Sequence, residues 1–155
     1  MDLSPAHLHL MINHIPVLGP PFLAILLIIG LLRKSPEILR AGLFLTVALS
    51  LATVPVYLTG EPAEHQVEEM TWADEDLIHE HEERAEKGFL AALATGALAL
   101  IFLFLARGGR QIRPAAAILV LLALLACSAL FGWTALAGGE IRHEEIRVSP
   151  VQRAG

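Results

Sequence analysis

Four long apolar runs, separated by short polar segments, dominate the chain. They span about 15–32, 41–58, 88–106 and 115–137. Each has roughly the ~20 residues with which a helix crosses a hydrocarbon core of ~30 Å, and none contains a charged residue. Because backbone groups find no partner in lipid, each run is predicted to be a transmembrane helix. We therefore predict a single all-α domain, an integral membrane four-helix up-down bundle whose helices extend beyond the outer face.

Residues that favour helix starts and stops flank these runs. Ser4-Pro5, the acidic segment 72–76 and Pro114 are typical of helix starts, and the Gly108-Gly109 pair is typical of a helix end. Prolines at the start of the first span are predicted to kink or break it. These prolines are Pro16, Pro20 and Pro21. Residues 61–87 are predicted to form an extracytoplasmic loop and a helix extension.

Composition supports a membrane protein and excludes some functions. Hydrophobic residues make up 55% of the 155 residues and charged residues 17%, against about 25% charged in soluble domains. The net charge of −5 offers no basic surface for nucleic acid. Cys127 is the single cysteine, so no internal disulfide is possible. The stretch 1–15 lacks Lys and Arg, which argues against a cleaved signal peptide.

The distribution of Lys and Arg predicts the orientation in the membrane. Two short connections, 33–40 and 107–113, hold six of the eleven Lys and Arg residues. The positive-inside rule then puts both connections in the cytoplasm. Both termini are predicted to be periplasmic, in a bacterial inner membrane with the lipid bilayer as partner. The oligomeric state is left open.

All seven histidines and every acidic residue except Glu37 fall on the predicted outer side. Counting ~1.5 Å of rise per residue, the polar groups of all four helices reach heights of about 28 to 43 Å above the inner ends. Small and polar residues, which pack helix on helix in lipid, mark one face of each later span. The second span has Thr46, Ser50, Thr53, Tyr57, Gly60 and Glu64; the third has Ala99, Thr95, Ala92, Gly88, Ala85 and His81; the fourth has Leu125, Ala129, Gly132, Leu136 and Gly139, leading to His143.

These faces predict a cluster at the outer mouth of the bundle. Its members are His14, Glu61, Glu64, His81, Glu140 and His143. Glu140 and His143 form a Glu-x-x-His unit, and carboxylate-bridged di-iron bundles use such units together with further glutamates. Mixed oxygen and imidazole ligands suit iron, manganese or zinc better than copper(I). We predict a metal-binding protein, redox-related and possessing a mononuclear or dinuclear site with iron or zinc.

Two other functions are left open. A b-type haem cytochrome would use axial histidines, with His14 and His81 as the candidates. A non-catalytic accessory subunit would use the acids as an antenna for cations, and the acidic run 80–86 is also compatible with a solvated helix face. His9 is interpreted as part of an exposed arm with no role in the site. No nucleophile or phosphate-binding loop is found, and whether the protein is an enzyme stays undecided.

Four segments resemble a family of small four-span bacterial membrane proteins of unknown function. They are His9–Val17, Thr59–Glu64, His81–Glu83 and Gly138–His143. The resemblance implies that Glu82 joins the predicted metal ligands in one functional unit. A wider group with a His-Phe-Pro-Ile motif is similar at His14-Ile15-Pro16-Val17, where two positions differ. Association of that group with Rieske or cytochrome modules implies a quinone or a redox partner.

Overall fold

The computed structural model describes residues 4–147, and this part of the chain contains helices and no strand. The helices of this part are α1 Pro5–Ile12, α2 His14–Leu32, α3 Pro36–Leu58, α4 Gly60–Glu68, α5 Glu75–Leu105 and α6 Pro114–Arg142. A 3-10 turn, Glu144–Ile146, follows α6. Helices α2, α3, α5 and α6 form the bundle, with α1 and α4 as short extensions. The prediction of an all-α four-helix bundle is confirmed.

Four helical stretches are long and apolar enough to cross a membrane, judged by length and composition. They are Pro5–Leu32, Pro36–Glu68, Glu75–Leu105 and Pro114–Arg142. Each contains one of the four apolar runs; the third run ends on Ala106, the C-cap of α5. These apolar runs are the segments treated below as membrane-spanning, and the polar ends of the same helices lie outside them.

The predicted helix ends agree with the caps in the structure. Ser4 Oγ accepts a hydrogen bond from the His7 amide at 3.3 Å, and Asp74 accepts one from the Leu77 amide at 3.4 Å. These side chains satisfy amides that have no partner within the helix. Gly108 and Gly109 have φ of 71° and 83°, a region that glycine adopts without strain. Their tight turn reverses the chain between α5 and α6.

The first span is interrupted before its prolines. The break lies at Asn13, between α1 and α2. Pro16 occupies the first turn of α2, where a missing N–H costs little. The helix continues through Pro20 and Pro21, so these two prolines do not break it. Asn13 keeps helical dihedral angles (φ −63°, ψ −17°), so the helical path continues across the break, and His9 lies on the same face as the buried Pro16 and Pro20.

The bundle is a ring in which each long helix packs on two neighbours. The packed pairs are α2 with α3, α3 with α5, α5 with α6, and α6 with α2, while α3 and α6 touch only slightly across the diagonal. Helices α1 and α4 pack on each other above the ring, and Gln66 Oε1 of α4 accepts from the Ala6 amide of α1 at 3.1 Å. The two extensions therefore form one layer at a single end of the bundle.

Buried hydroxyl residues line the middle of the bundle without leaving polar atoms unsatisfied. Thr46 donates to the Gly42 carbonyl and Thr95 to the Ala91 carbonyl, each one helical turn away. Close approach of helices accompanies them, since a Cβ at Gly96 would lie 2.3 Å from Ser50 Cβ. Small residues allow this approach between α3 and α5. The predicted inner faces of these two helices are confirmed at Thr46, Ser50, Thr53, Gly88, Ala92, Thr95 and Ala99, whereas Tyr57 is exposed.

The inner face predicted for the fourth span is wrong. Leu125 and Leu136 are 47% and 64% exposed, so that stripe faces outward. The buried face consists of Ala117, Val120, Leu124, Cys127, Phe131, Thr134 and Ala137. Almost every position of this span is apolar, and periodicity therefore gave no contrast between the face toward lipid and the face toward the bundle. The predicted face led to His143 at the end of α6, and this residue is exposed as well.

Candidate functional site

Two partly buried histidines lie at the end of the bundle that carries α1 and α4. This end, called the histidine end, comprises α1, α4, the start of α5 and the end of α6. His9 is on α1 and His81 is on the second turn of α5. Both lie outside the membrane-spanning segments. His81 belongs to the predicted site, whereas His9 was interpreted as part of an exposed arm.

His81 is held between α5 and α6 by a backbone contact. Its Nδ1 lies 3.0 Å from the Thr134 carbonyl oxygen. A carbonyl oxygen can only accept, so Nδ1 carries the proton and the neutral ring presents its lone pair on Nε2. Gly138 makes room for the ring, because a Cβ there would lie 3.0 Å from His81 Cε1. Packing and hydrogen bonding therefore define both the position and the tautomer of this imidazole.

His9 has the same arrangement at the junction of α3 and α4. Its Nδ1 lies 3.1 Å from Thr59 Oγ1, and Thr59 Oγ1 donates its own proton to the Val56 carbonyl at 2.8 Å. The hydroxyl proton is thus already used, and the histidine must donate through Nδ1. The neutral ring again has its lone pair on Nε2. A backbone carbonyl fixes the tautomer of His81 directly and that of His9 through one hydroxyl.

Both imidazoles favour the neutral form. Burial lowers the pKa of His9 below 6.5, and the positive form of His81 lowers it further. Burial also lowers the pKa of His81, aided by the Arg84 guanidinium and opposed by the bond to the Thr134 carbonyl. The effect of His81 on the pKa of His9 indicates that the two histidines lie in the same part of the histidine end. At neutral pH they are a pair of uncharged imidazoles from two separate helices.

Two of the predicted carboxylate ligands also lie near each other. Glu64 of α4 is partly buried, and Glu82 of α5 is exposed. Burial raises the pKa of Glu64, and repulsion from Glu82 and Glu68 raises it further. A carboxylate of α4 and one of α5 therefore lie close enough for their charges to repel.

The other predicted ligands do not converge with this pair. His14 and Glu61 are exposed at the starts of α2 and α4. His143 is exposed at the end of α6, where its Nδ1 lies 2.8 Å from Glu145 Oε1. Glu140 is partly buried one turn earlier. Within residues 4–147, no group of three or more His, Cys, Asp or Glu side chains is arranged to hold a metal ion.

Most other histidines of this end lie beside carboxylates on the surface. His65 lies 3.5 Å from Glu68, and His79 lies 3.6 Å from both Glu82 and Glu83. The side chains of His65 and His79 are 73% and 71% exposed. Pairs of this kind contribute little to stability because water screens them.

Two cavities in the described part of the chain have no histidine in their walls. The bundle interior has a cavity of about 10 Å³ near Ser50, Thr95 and Cys127, about the space of one water molecule. A hollow of about 220 Å³ lies at the surface and contains no histidine. It is lined by Trp72, Ile141, Arg142, Glu144, Glu145 and Arg147. Neither cavity brings a porphyrin-sized space to His14 and His81, the residues predicted for haem.

The sequence contained a signal for His9 that the choice of the wrong helix face concealed. A helix through residues 5–32 places His7 and His14 on one face and turns His9 away, and the face of His7 and His14 was predicted to be the inner one. In the structure His7 and His14 are exposed, whereas His9 lies seven residues before Pro16 and eleven before Pro20, on the face that buries both prolines. Thr59 and Thr134, the acceptor residues, have no sequence signal that marks them as partners of histidine.

Comparison of the chain with protein-family models, with curated proteins and with solved structures finds no match. The resemblance to a four-span bacterial family stays a prediction.

Proposed function

We propose that this chain is a bacterial inner-membrane protein that binds a transition-metal ion at the histidine end, with His9 and His81 as imidazole ligands. The observation that carries the proposal is the pair of Nδ1 hydrogen bonds to Thr59 Oγ1 and to the Thr134 carbonyl. Metal-bound histidines characteristically donate their second ring N–H to an oxygen, which fixes the tautomer and leaves Nε2 for the ion. A purely structural pair has no need for both rings to keep the lone pair on the same nitrogen, Nε2.

The protonation state supports the same proposal. A metal ion binds the neutral imidazole, and the lowered pKa values of His9 and His81 favour that form at neutral pH. Imidazole ligands suit zinc, iron, copper and nickel. Two imidazoles leave coordination positions for water, for a substrate or for carboxylates such as Glu64 and Glu82. The dinuclear carboxylate site, the redox role and the quinone partner stay extensions of this proposal.

The first experiment measures metal binding by the full chain purified in mild detergent and stripped with a chelator. Isothermal titration with Zn²⁺ is compared for the wild type, His9→Ala, His81→Ala and the control His79→Ala, an exposed histidine of the same helix as His81. We expect the first two variants to lose the binding isotherm and the control to keep it. Equal binding by His81→Ala and the wild type would refute the assignment. Elemental analysis of protein purified without chelator identifies the native ion.

Haem b is the alternative, because two neutral imidazoles with free Nε2 lone pairs are also suitable axial ligands. The close contact of Gly138 with His81 and of Gly88 with Phe131 argues against a porphyrin between these helices. A visible spectrum of the purified protein separates the two cases. A Soret band that shifts on reduction would show that the histidines bind haem and not a single metal ion.

The proposed location follows from charge. Both termini would be periplasmic, because the six Lys and Arg of the two short connections favour the cytoplasm. Alkaline phosphatase fused to the C-terminus is active only outside the cytoplasm. An inactive but stable fusion would reverse the orientation and place the metal site on the cytoplasmic side.

A further inference from the structure

Positive charge without counter-charge collects at the end of the bundle opposite the histidines. This basic end comprises the α2–α3 connection, the first turns of α3 and the α5–α6 connection. Its cationic residues are Arg33, Lys34, Arg40, Arg107, Arg110 and Arg113. The single acid is Glu37, whose carboxylate accepts from Ser35 Oγ at 2.8 Å. Every ion pair found within residues 4–147 lies at the histidine end, so the six cations have none.

The side chain of Arg40 makes two hydrogen bonds to the backbone of the connection that carries Arg107 and Arg110. Arg40 Nη2 of α3 donates to the Ala106 carbonyl at 3.1 Å and to the Arg110 carbonyl at 2.9 Å. The Gly108-Gly109 turn brings the chain back so that these two carbonyls share one donor. Arg107 adjoins Ala106 in the sequence. Arg40 therefore holds its charge against the backbone of the connection that carries Arg107 and Arg110, and these three residues are called the cationic cluster.

The cluster lies at the border of the apolar surface. The Arg107 guanidinium carbon is 3.6 Å from the centre of the Phe104 ring. Phe104 is 57% exposed, as is usual for a lipid-facing side chain in an apolar helix. An arginine that covers such a ring occupies the level at which lipid headgroups meet the hydrocarbon. The positive charge is therefore presented to the headgroup layer.

We propose that Arg40, Arg107 and Arg110 bind the phosphate of an anionic phospholipid headgroup. Guanidinium groups match phosphate geometry and bind its oxygens in pairs. The anion supplies the negative charge that the basic end lacks, and the headgroup layer supplies the anion at the correct depth. This site is independent of the metal site at the opposite end.

The test uses the full chain in nanodiscs of phosphatidylcholine alone or mixed with phosphatidylglycerol. Native mass spectrometry after detergent extraction measures which lipid the protein retains. Arg107→Gln/Arg110→Gln removes two charges of the cluster, and Arg33→Gln/Lys34→Gln removes two charges of the same end outside it. We expect the wild type to retain phosphatidylglycerol and the cluster variant to lose about fivefold in preference for each cation removed. The control variant should lose clearly less of the preference than the cluster variant, because it removes the same number of charges and leaves the cluster intact.

Three outcomes overturn the proposal. Equal retention of the two lipids by the wild type would show that no site exists. An equal loss in both variants would show a diffuse charge effect instead of a cluster. Addition of inorganic phosphate to phosphatidylcholine discs tests the other source of the same chemistry. If phosphate alone raises the thermal unfolding temperature as much as phosphatidylglycerol does, the ligand is phosphate and not lipid.

Discussion

The histidine end contains two kinds of histidine, and they differ in their partners. His9 and His81 are partly buried and donate to uncharged oxygens. His65, His79 and His143 are exposed and lie beside carboxylates. The inward rings are held by two or more helices, whereas the outward rings pair with residues two to four positions away in the chain.

The difference teaches which imidazoles are prepared for a ligand. An exposed ring must lose side-chain freedom and water before it can bind, and its local ion pair offers little in return. A ring that is already fixed by packing and by a neutral acceptor has one defined tautomer and little entropy left to lose. The presence of nearby carboxylates, on which the predicted site was based, therefore indicates a ligand-binding histidine less well than the burial of its ring and the type of its hydrogen-bond acceptor.

The largest expected effect comes from filling the space behind His81. Gly138→Val adds a branched side chain whose Cβ alone would lie 3.0 Å from the His81 ring. A Cβ added at Gly132 would meet nothing within 4 Å. Gly132→Val is thus a matched control on the same helix. Overpacking costs typically ~1–3 kcal/mol. We expect Gly138→Val to lower the free energy of unfolding in detergent by this amount relative to the control and to abolish Zn²⁺ binding. Equal stability and equal binding would show that the His81 ring is not held by this contact.

A smaller effect is expected from the acceptor of His9. Thr59→Val removes Oγ1 and leaves His9 Nδ1 without its partner, which costs about 1 kcal/mol of stability. Loss of such an outer partner weakens metal binding by about 10–100-fold. Thr59→Ser restores the hydroxyl and should restore the affinity measured by titration. Failure of the serine variant to recover binding would mean that the threonine methyl group, and not the hydrogen bond, is what matters.

The smallest effect is the contribution of the inward pair to the pH dependence of stability. In the unfolded chain both rings take up protons near pH 6.5, and in the folded protein they do so only at lower pH. Their contribution to stability is therefore complete above pH 6.5 and is lost as the pH falls toward their folded pKa. NMR titration of the imidazole protons should give both rings a pKa below 6.5.

The double variant His9→Asn/His81→Asn isolates this contribution in the denaturation data. Glu64, whose pKa is raised, acts in the opposite sense, since the folded state binds its proton more tightly. The wild type and the double variant share Glu64, and the difference between their stability curves removes its effect to first order. If the difference in stability between the wild type and the double variant does not decrease as the pH is lowered below 6.5, the assignment of the inward pair is contradicted.

The fold could be predicted from the sequence because bilayer thickness and backbone pairing leave few choices for four long apolar runs. The inner faces of α3 and α5 were predictable for a related reason. Serine, threonine, glycine and alanine mark those faces, and Gly96 packs on Ser50 as such residues do. The face of α6 was not predictable, since leucine serves equally well against lipid and against another helix.

The sequence alone determined which residue types are present at the histidine end. It also determined that the histidines and nearly all the acids lie on the same side of the four apolar runs. Which of them point inward was decided only by tertiary structure. The packing of α1 on α4 brings His9 to Thr59, 50 positions away. The packing of α5 on α6 brings His81 to the Thr134 carbonyl, 53 positions away. Such contacts join residues remote in the chain, and local periodicity contains no information about them.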